Sequence, residues 1–179
     1  IEQFLNYRFT DGSLKGHAVG NLILTALNNM CGDFEKAVDM ACKLFGTDGR
    51  VVPVSGEDIV LNAYLTDGSL LVGESNVGAP YENKANIDRV FLTPEKPSAT
   101  EYALKAIDNA DAIILGPGSL YTSIIPNLLV DGIAEAIKRS NAKKIYVCNI
   151  MTQPGETDGY TAYDQLNAIE KHTYPGIID

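Results

Sequence analysis

Apolar residues recur at every third or fourth position in five segments of the chain, which is the spacing of one face of an α-helix. Asp33 is placed to cap the second of these helices, and either Ser98 or Thr100 is placed to cap the third. Gly46 would end the second helix. The spacing predicts helices over 16–30, 34–45, 99–109, 127–139 and 160–172.

Short apolar runs between these segments predict β-strands. The run at 112–115 is uninterrupted, and the run at 144–148 is uninterrupted after Lys144, which is typical of strands buried on both faces of a parallel sheet. Asp67 and Gly68 lie between two other runs and predict a β-hairpin. The predicted strands are 51–54, 59–65, 69–73, 89–92, 112–115 and 144–150.

The order of the elements indicates the fold class. Helices and strands alternate in the second half of the chain, which is the pattern of a parallel sheet covered by helices. We therefore predict an α/β, three-layer Rossmann-like fold with a mainly parallel sheet and an added β-hairpin. A length of 179 residues favours a single domain over 1–179.

Composition and charge narrow the class of protein. The hydrophobic fraction of 45% is typical of a folded globular domain. A net charge of −9 argues against a nucleic-acid-binding surface. The three cysteines, an odd number without a CxxC pair, argue against a disulfide framework and against zinc, and are expected to be buried thiols in a reducing cytosol. No apolar run is long enough to cross a bilayer.

Two loops follow the two uninterrupted strands and are the main candidates for a ligand site. The glycine loop (residues 116–123, GPGSLYTS) precedes a predicted helix, and the polar loop (residues 149–157, NIMTQPGET) follows strand 144–148. Ligands of open α/β sheets bind at the carboxyl ends of the strands, where glycines, hydroxyls and a helix N-terminus suit a phosphate. The alternative is a tight turn in which Ser119 only caps the next helix.

The other candidates are isolated polar residues. His17 and Asn21 are four positions apart on a predicted helix and would share one face; the alternative is that His17 is a cap or a surface residue. His172 is interpreted as a surface residue. Glu156 and Asp158 could together hold Mg²⁺, or could belong to a solvated polar loop.

Five motifs resemble the CofD-like (phospholactate transferase-like) superfamily in order and spacing. The two longest contain the glycine loop and the polar loop. The motifs are GHAVGNL (16–22), GESN (73–76), ADAIILGPGSLYTS (110–123), PNLL (126–129) and CNIMTQPGET (148–157).

The resemblance implies a ligand pocket, with no metal ligands assigned in this chain. Full-length members begin with a strand and a Gly-rich loop that helps to bind a nucleotide. Neither is recognisable here, so this N-terminal nucleotide-binding segment is expected to be missing. The positions that match the family, and that are expected to line the pocket, are His17, Asn21, Gly116, Gly118, Ser119, Tyr121, Thr122, Ser123, Asn127, Asn149, Met151, Thr152, Gln153, Glu156 and Thr157.

The superfamily has two relevant branches. One transfers a phospholactyl group from a nucleotide-activated donor with the help of Mg²⁺. The other is the gluconeogenesis factor, which is cytoplasmic, binds a UDP-sugar such as UDP-N-acetylglucosamine, and is needed for cell shape and for growth on gluconeogenic carbon sources. Both loops resemble the second branch more closely, and a homodimer is implied by the family only.

Three functions therefore remain open. The first, which we favour, is a non-catalytic nucleotide-sugar-binding protein. The second is a group transferase that uses a nucleotide diphosphate-linked donor and Mg²⁺. The third is a fragment whose site is inert without the N-terminal segment.

Overall fold

A computed structural model describes residues 1–79 and 85–178. The chain divides into two compact units, residues 1–56 and residues 57–179, and each is described by itself. Two compact units are not by themselves two independently folding domains, so the single domain over 1–179 stays a prediction.

The first unit is helical. It contains α1 (Glu2–Leu5), α2 (Val19–Cys31) and α3 (Phe34–Phe45). The carboxylate of Asp33 accepts a hydrogen bond from the Lys36 amide at 2.9 Å, which confirms the predicted N-cap of α3. Gly46 ends α3 in the left-handed conformation, as predicted.

Two predictions in the first unit are wrong. Helix α2 begins at Val19 rather than at residue 16, because Ala18 is extended and forms an isolated antiparallel bridge with Arg8. His17 therefore precedes the helix and does not share a helix face with Asn21. The predicted strand 51–54 is not a strand in this part of the chain; Pro53 lacks the N–H that a central strand needs.

An antiparallel sheet forms one part of the second unit. Its strands are β1 (Val60–Leu65), β2 (Leu70–Val72) and β3 (Ile87–Thr93), in the order β2-β1-β3. The pairing of β1 with β2 confirms the predicted hairpin. The short helix α4 (Glu74–Val77) follows β2.

A parallel pair of strands and four helices form the α/β part of the second unit. Strands β4 (Ala112–Leu115) and β5 (Lys143–Tyr146) pair in parallel, with Ala112 opposite Lys143. Thr100 rather than Ser98 caps the helix before β4, and its hydroxyl accepts from the Ala103 amide. The mixed α/β fold with a parallel pair and an added hairpin is thus confirmed. The accompanying helices are α5 (Glu101–Asp108), α6 (Ile125–Leu128), α7 (Ile133–Arg139) and α8 (Ala162–His172).

The two parallel strands are not buried on both faces. Ile114 is 59% exposed and Ile145 is 42% exposed, and both lie on the same face of the pair. Strand β5 also ends at Tyr146, not at residue 150, because β4 stops where Gly116 turns the chain, and within the described residues the strand pairing does not extend beyond Val147. Cys148 is therefore half-buried rather than a core residue.

The predicted helix 127–139 is split in two. A π-helical turn (Leu120–Ile124) leads directly into α6, and α7 begins only after Gly132. Gly132 has a φ of +86°, and the preceding Asp131 amide donates to the Pro97 carbonyl, so the chain leaves the helix between α6 and α7. The inward positions Leu128, Ile133 and Ile137 are buried as expected from the apolar spacing.

His172 joins α8 to β3 and is not the surface residue that we predicted. Its Nδ1–H donates to the Ala168 carbonyl at 2.7 Å, and its Nε2 accepts from the Val90 amide at 3.0 Å. This pairing requires the neutral imidazole. Burial lowers the pKa of His172 below its ordinary value of 6.5, against the opposing effect of the Ala168 hydrogen bond.

We expect the stability of the protein to fall as the pH drops below about 6.5. In that range the unfolded chain takes up a proton at His172 that the folded chain does not, so protonation favours unfolding. Urea unfolding of wild type and of His172→Gln between pH 8 and pH 5 checks this. A glutamine side chain cannot titrate, so the variant should lose this part of the pH dependence; equal slopes would contradict the assignment.

Among the described residues, no helix is both long enough and apolar enough to cross a membrane.

Candidate functional site

The glycine loop and the polar loop lie side by side because their strands are neighbours. β4 and β5 run parallel, so both loops begin at the same edge of the pair. The Val147 amide donates to the Leu115 carbonyl at 2.9 Å, which extends the pairing to the first residue of each loop. The predicted meeting of the two loops is confirmed.

Gly116 is required where the glycine loop leaves β4. Its φ is +85°, and a Cβ at this position would lie 2.8 Å from the Val147 carbonyl oxygen. Any side chain would therefore strain the backbone and also collide with the neighbouring strand end. The glycine allows the two loops to approach closely.

Two side chains of the polar loop hold the glycine loop in place. The side-chain amide of Asn149 donates to the Gly118 carbonyl at 2.7 Å. The Ser119 hydroxyl donates to Oε1 of Gln153, also at 2.7 Å. Ser119 makes no side-chain capping hydrogen bond to the helical turn that follows, so the interpretation of Ser119 as a simple helix cap is wrong.

Glu156 is a buried charged residue between the two loops. Only 3% of it is exposed, and both carboxylate oxygens accept hydrogen bonds. Oε2 accepts from the Tyr121 amide at 3.0 Å, and Oε1 accepts from the Thr122 hydroxyl and from the Gln153 side-chain amide, each at 2.9 Å. Glu156 is therefore not part of a solvated polar loop.

Asp158 lies in a different environment from Glu156. It is exposed, and its carboxylate accepts from the Gly155 amide at 2.7 Å. Within residues 1–79 and 85–178, no group of three or more His, Cys, Asp or Glu side chains is arranged to hold a metal ion. The two carboxylates thus form no such group with a third ligand in the described part of the chain.

Thr157 closes a hydrogen-bonded turn in the polar loop. The backbone amide of Gln153 donates to the Thr157 hydroxyl at 2.8 Å, and the backbone amide of Thr157 donates to the Gln153 backbone carbonyl at 2.9 Å. Thr157 is itself buried. This turn fixes the backbone on which both Gln153 and Glu156 are mounted.

Tyr121 anchors the other side of the glycine loop in the core. Its side chain is buried, and its hydroxyl lies 2.9 Å from the hydroxyl of Tyr160. Burial is the main cause that raises the pKa of Tyr121, followed by the hydrogen bond to Tyr160. The phenol therefore stays neutral, and its contacts are structural.

The remaining predicted residues are at the margins of the loops or in the first unit. Ser123 and Asn127 are exposed, and the Asn127 side chain donates to the Ser123 carbonyl at 2.6 Å. Met151 and Thr152 are exposed in the polar loop. In the first unit, His17 is exposed, and Asn21 lines an otherwise largely apolar cavity of about 450 Å³.

Gly78 and Tyr160 contribute to this site, but the sequence did not single them out. A Cβ on Gly78 would lie 3.3 Å from Oε1 of Glu156 and 3.4 Å from Cγ2 of Thr122. The segment after β2 therefore closes over the Glu156 carboxylate. The GESN motif at 73–76 lies just before Gly78 in the sequence. The contact of Gly78 with Glu156 could not be predicted, because the two residues are far apart in the sequence.

Comparisons with known proteins identify the family of this chain. A family described as "2-phospho-L-lactate transferase CofD" matches residues 1–179. The gluconeogenesis factor of Halalkalibacterium halodurans is 48% identical over all of this chain, which covers 55% of that protein. The gluconeogenesis factor of Bacillus subtilis is 46% identical over all of this chain, which covers 56% of that protein.

A solved structure is similar over nearly the whole chain. A UPF0052 family protein from Bacillus halodurans superimposes with a TM-score of 0.92 at 47% identity, covering 99% of this chain and 57% of that one. The chain thus spans about half the length of the relatives it matches. Since the family match extends over every residue, the chain belongs to the 2-phospho-L-lactate transferase CofD family.

Proposed function

We propose that this chain is part of a gluconeogenesis factor, a cytoplasmic protein that binds a nucleotide sugar resembling UDP-N-acetylglucosamine and is needed for cell shape and for growth on gluconeogenic carbon sources. The observation that carries the proposal is that the glycine loop and the polar loop are hydrogen-bonded to each other at the carboxyl ends of β4 and β5. The chain that contains them is 46% to 48% identical to two gluconeogenesis factors.

The glycine loop offers groups that suit a diphosphate. The amides of Gly118 and Ser119 have no hydrogen-bond acceptor among the described residues, so they are available to an anionic ligand. The Ser119 oxygen, which donates its hydrogen to Gln153, keeps lone pairs for a ligand hydroxyl. Backbone amides bind phosphate without a cationic side chain, which suits a chain of net charge −9.

A group transferase is the second candidate, and the description of the matching family favours it. In that case the same loops would position a nucleotide-activated donor, and Mg²⁺ would neutralise its phosphates. The two candidates differ in their ligand and in their dependence on the metal.

Calorimetric titration with UDP-N-acetylglucosamine and with GDP, each with and without Mg²⁺, separates the candidates. The titrations are made on this chain and on the full-length factor of Halalkalibacterium halodurans. Saturable UDP-sugar binding without turnover supports the first function. Mg²⁺-dependent GDP binding without a response to the UDP-sugar supports the transferase instead.

We expect Ser119→Ala and Asn149→Ala each to weaken UDP-sugar binding about 3- to 10-fold, because each removes one hydrogen bond that fixes the glycine loop. The control is Asn141→Ala, an exposed residue before the opposite end of β5, which should leave the affinity unchanged. Wild-type affinity in both loop variants would contradict the placement of the ligand at these loops.

A further inference from the structure

We propose that Glu156 is a positioning residue, which presets the glycine loop for its ligand and does not itself contact that ligand or a metal. This inference rests on the proposed function, because it concerns how the same site binds its nucleotide ligand. It is carried by the burial and the hydrogen bonds of one carboxylate.

The carboxylate of Glu156 is stabilised entirely by hydrogen-bond donors within the described part of the chain. Its contacts there are the Tyr121 backbone amide, the Thr122 hydroxyl and the Gln153 side-chain amide, and no ion pair among the described residues includes it. A buried carboxylate without a cation must keep its donors, since an unsatisfied charge in the interior is strongly unfavourable. Glu156 and its three donors therefore hold each other in place.

These hydrogen bonds form one connected network that joins the two loops. Tyr121 and Thr122 belong to the glycine loop, while Gln153 belongs to the polar loop and also accepts from Ser119. A change at Glu156 thus acts twice on the glycine loop, directly through Tyr121 and Thr122 and indirectly through Gln153 and Ser119. Connected hydrogen bonds strengthen one another, so the loss of one is expected to weaken the rest.

The same contacts exclude a ligand phosphate from Glu156. The Tyr121 amide and the Thr122 hydroxyl already donate to an anion, and a phosphate beside them would meet a like charge. Gly78 closes the site further, because even a Cβ there would lie 3.3 Å from Oε1. The ligand-facing groups are consequently those nearer Gly118 and Ser119.

The test compares Glu156→Gln with Asp158→Asn, which removes an exposed carboxylate of the neighbouring turn. Glutamine has the shape of glutamate but presents an N–H to one of the three donors. We expect faster hydrogen exchange at the Tyr121 amide and across residues 116–123, with β1 and β3 unchanged, and UDP-N-acetylglucosamine binding weakened about tenfold. Asp158→Asn should change neither quantity.

A second variant guards against a general loss of the fold. Thr122→Val keeps the carboxylate and removes one donor, so it should loosen the same residues to a smaller extent. Exchange that increases equally in β1 and β3 for both variants would overturn the proposal, as would wild-type exchange and affinity in Glu156→Gln. Weaker binding with unchanged loop exchange would mean that Glu156 contacts the ligand, which also overturns it.

The two proposals fail differently. If wild-type protein, both as this chain and as the full-length relative, binds no UDP-sugar, the proposed function fails. The exchange experiment still reports on Glu156 in that case, since it needs no ligand: selective loosening of residues 116–123 would support its positioning of the loop, and its absence would overturn it.

Discussion

Replacing Gly116 by alanine is expected to destabilise the protein by about 2–4 kcal/mol. A left-handed φ of +85° costs a residue with a Cβ about 1–2 kcal/mol, and this Cβ would also lie 2.8 Å from the Val147 carbonyl oxygen. That oxygen belongs to the backbone of the neighbouring strand end, so it can move only if the pairing of β4 with β5 is disturbed. Urea unfolding, followed by circular dichroism, measures the loss.

Gly68→Ala is a matched control for this substitution. Gly68 lies in the hairpin turn with the same φ of +85°, but a Cβ there would meet no atom of the described residues within 4 Å. Its loss of stability therefore measures the backbone strain alone, and the difference between the two variants measures the collision with Val147. Equal losses would show that the two strand ends are not closely apposed.

The elements that could be predicted from the sequence are those with local causes. Asp33 and Thr100 cap their helices with their own side chains, and the hairpin turns at Asp67 and Gly68. The glycine loop and the polar loop were found because each directly follows an apolar run, and strand ends of a parallel pair share one edge.

The errors arose where a distant contact or a local exception overrides the apolar spacing. Helix 127–139 is interrupted at Gly132, although the apolar spacing continues across it, because the Asp131 amide pairs with Pro97. His172 looked like a surface residue, yet its imidazole binds the backbone of a strand 82 positions away. The burial of Glu156 also depends on distant contacts, because its donors Tyr121 and Thr122 lie more than 30 residues earlier in the sequence.

Helix α8 connects these distant contacts to the core of the second unit. A capping box at Thr161 and Asp164 begins the helix immediately after the turn that contains Glu156 and Thr157. At its other end, His172 binds β3. Between them, the Ile169 side chain is 0% exposed and is among the largest fully buried side chains of the described residues. The packing of Ile169 therefore supports both the helix and the elements it connects.

Ile169→Ala is accordingly expected to lower the free energy of unfolding by about 2–5 kcal/mol, because it removes buried methyl groups and leaves a cavity that a packed core only partly refills. The control is Tyr163→Ala on the same helix, where the side chain is 73% exposed and truncation should cost less than about 1 kcal/mol. Chemical unfolding of both variants measures these values. A loss for Ile169→Ala no larger than that for Tyr163→Ala would mean that α8 does not pack on the core through Ile169. A large loss accompanied by faster exchange at Glu156 and Thr157 would instead show that the polar loop depends on this packing.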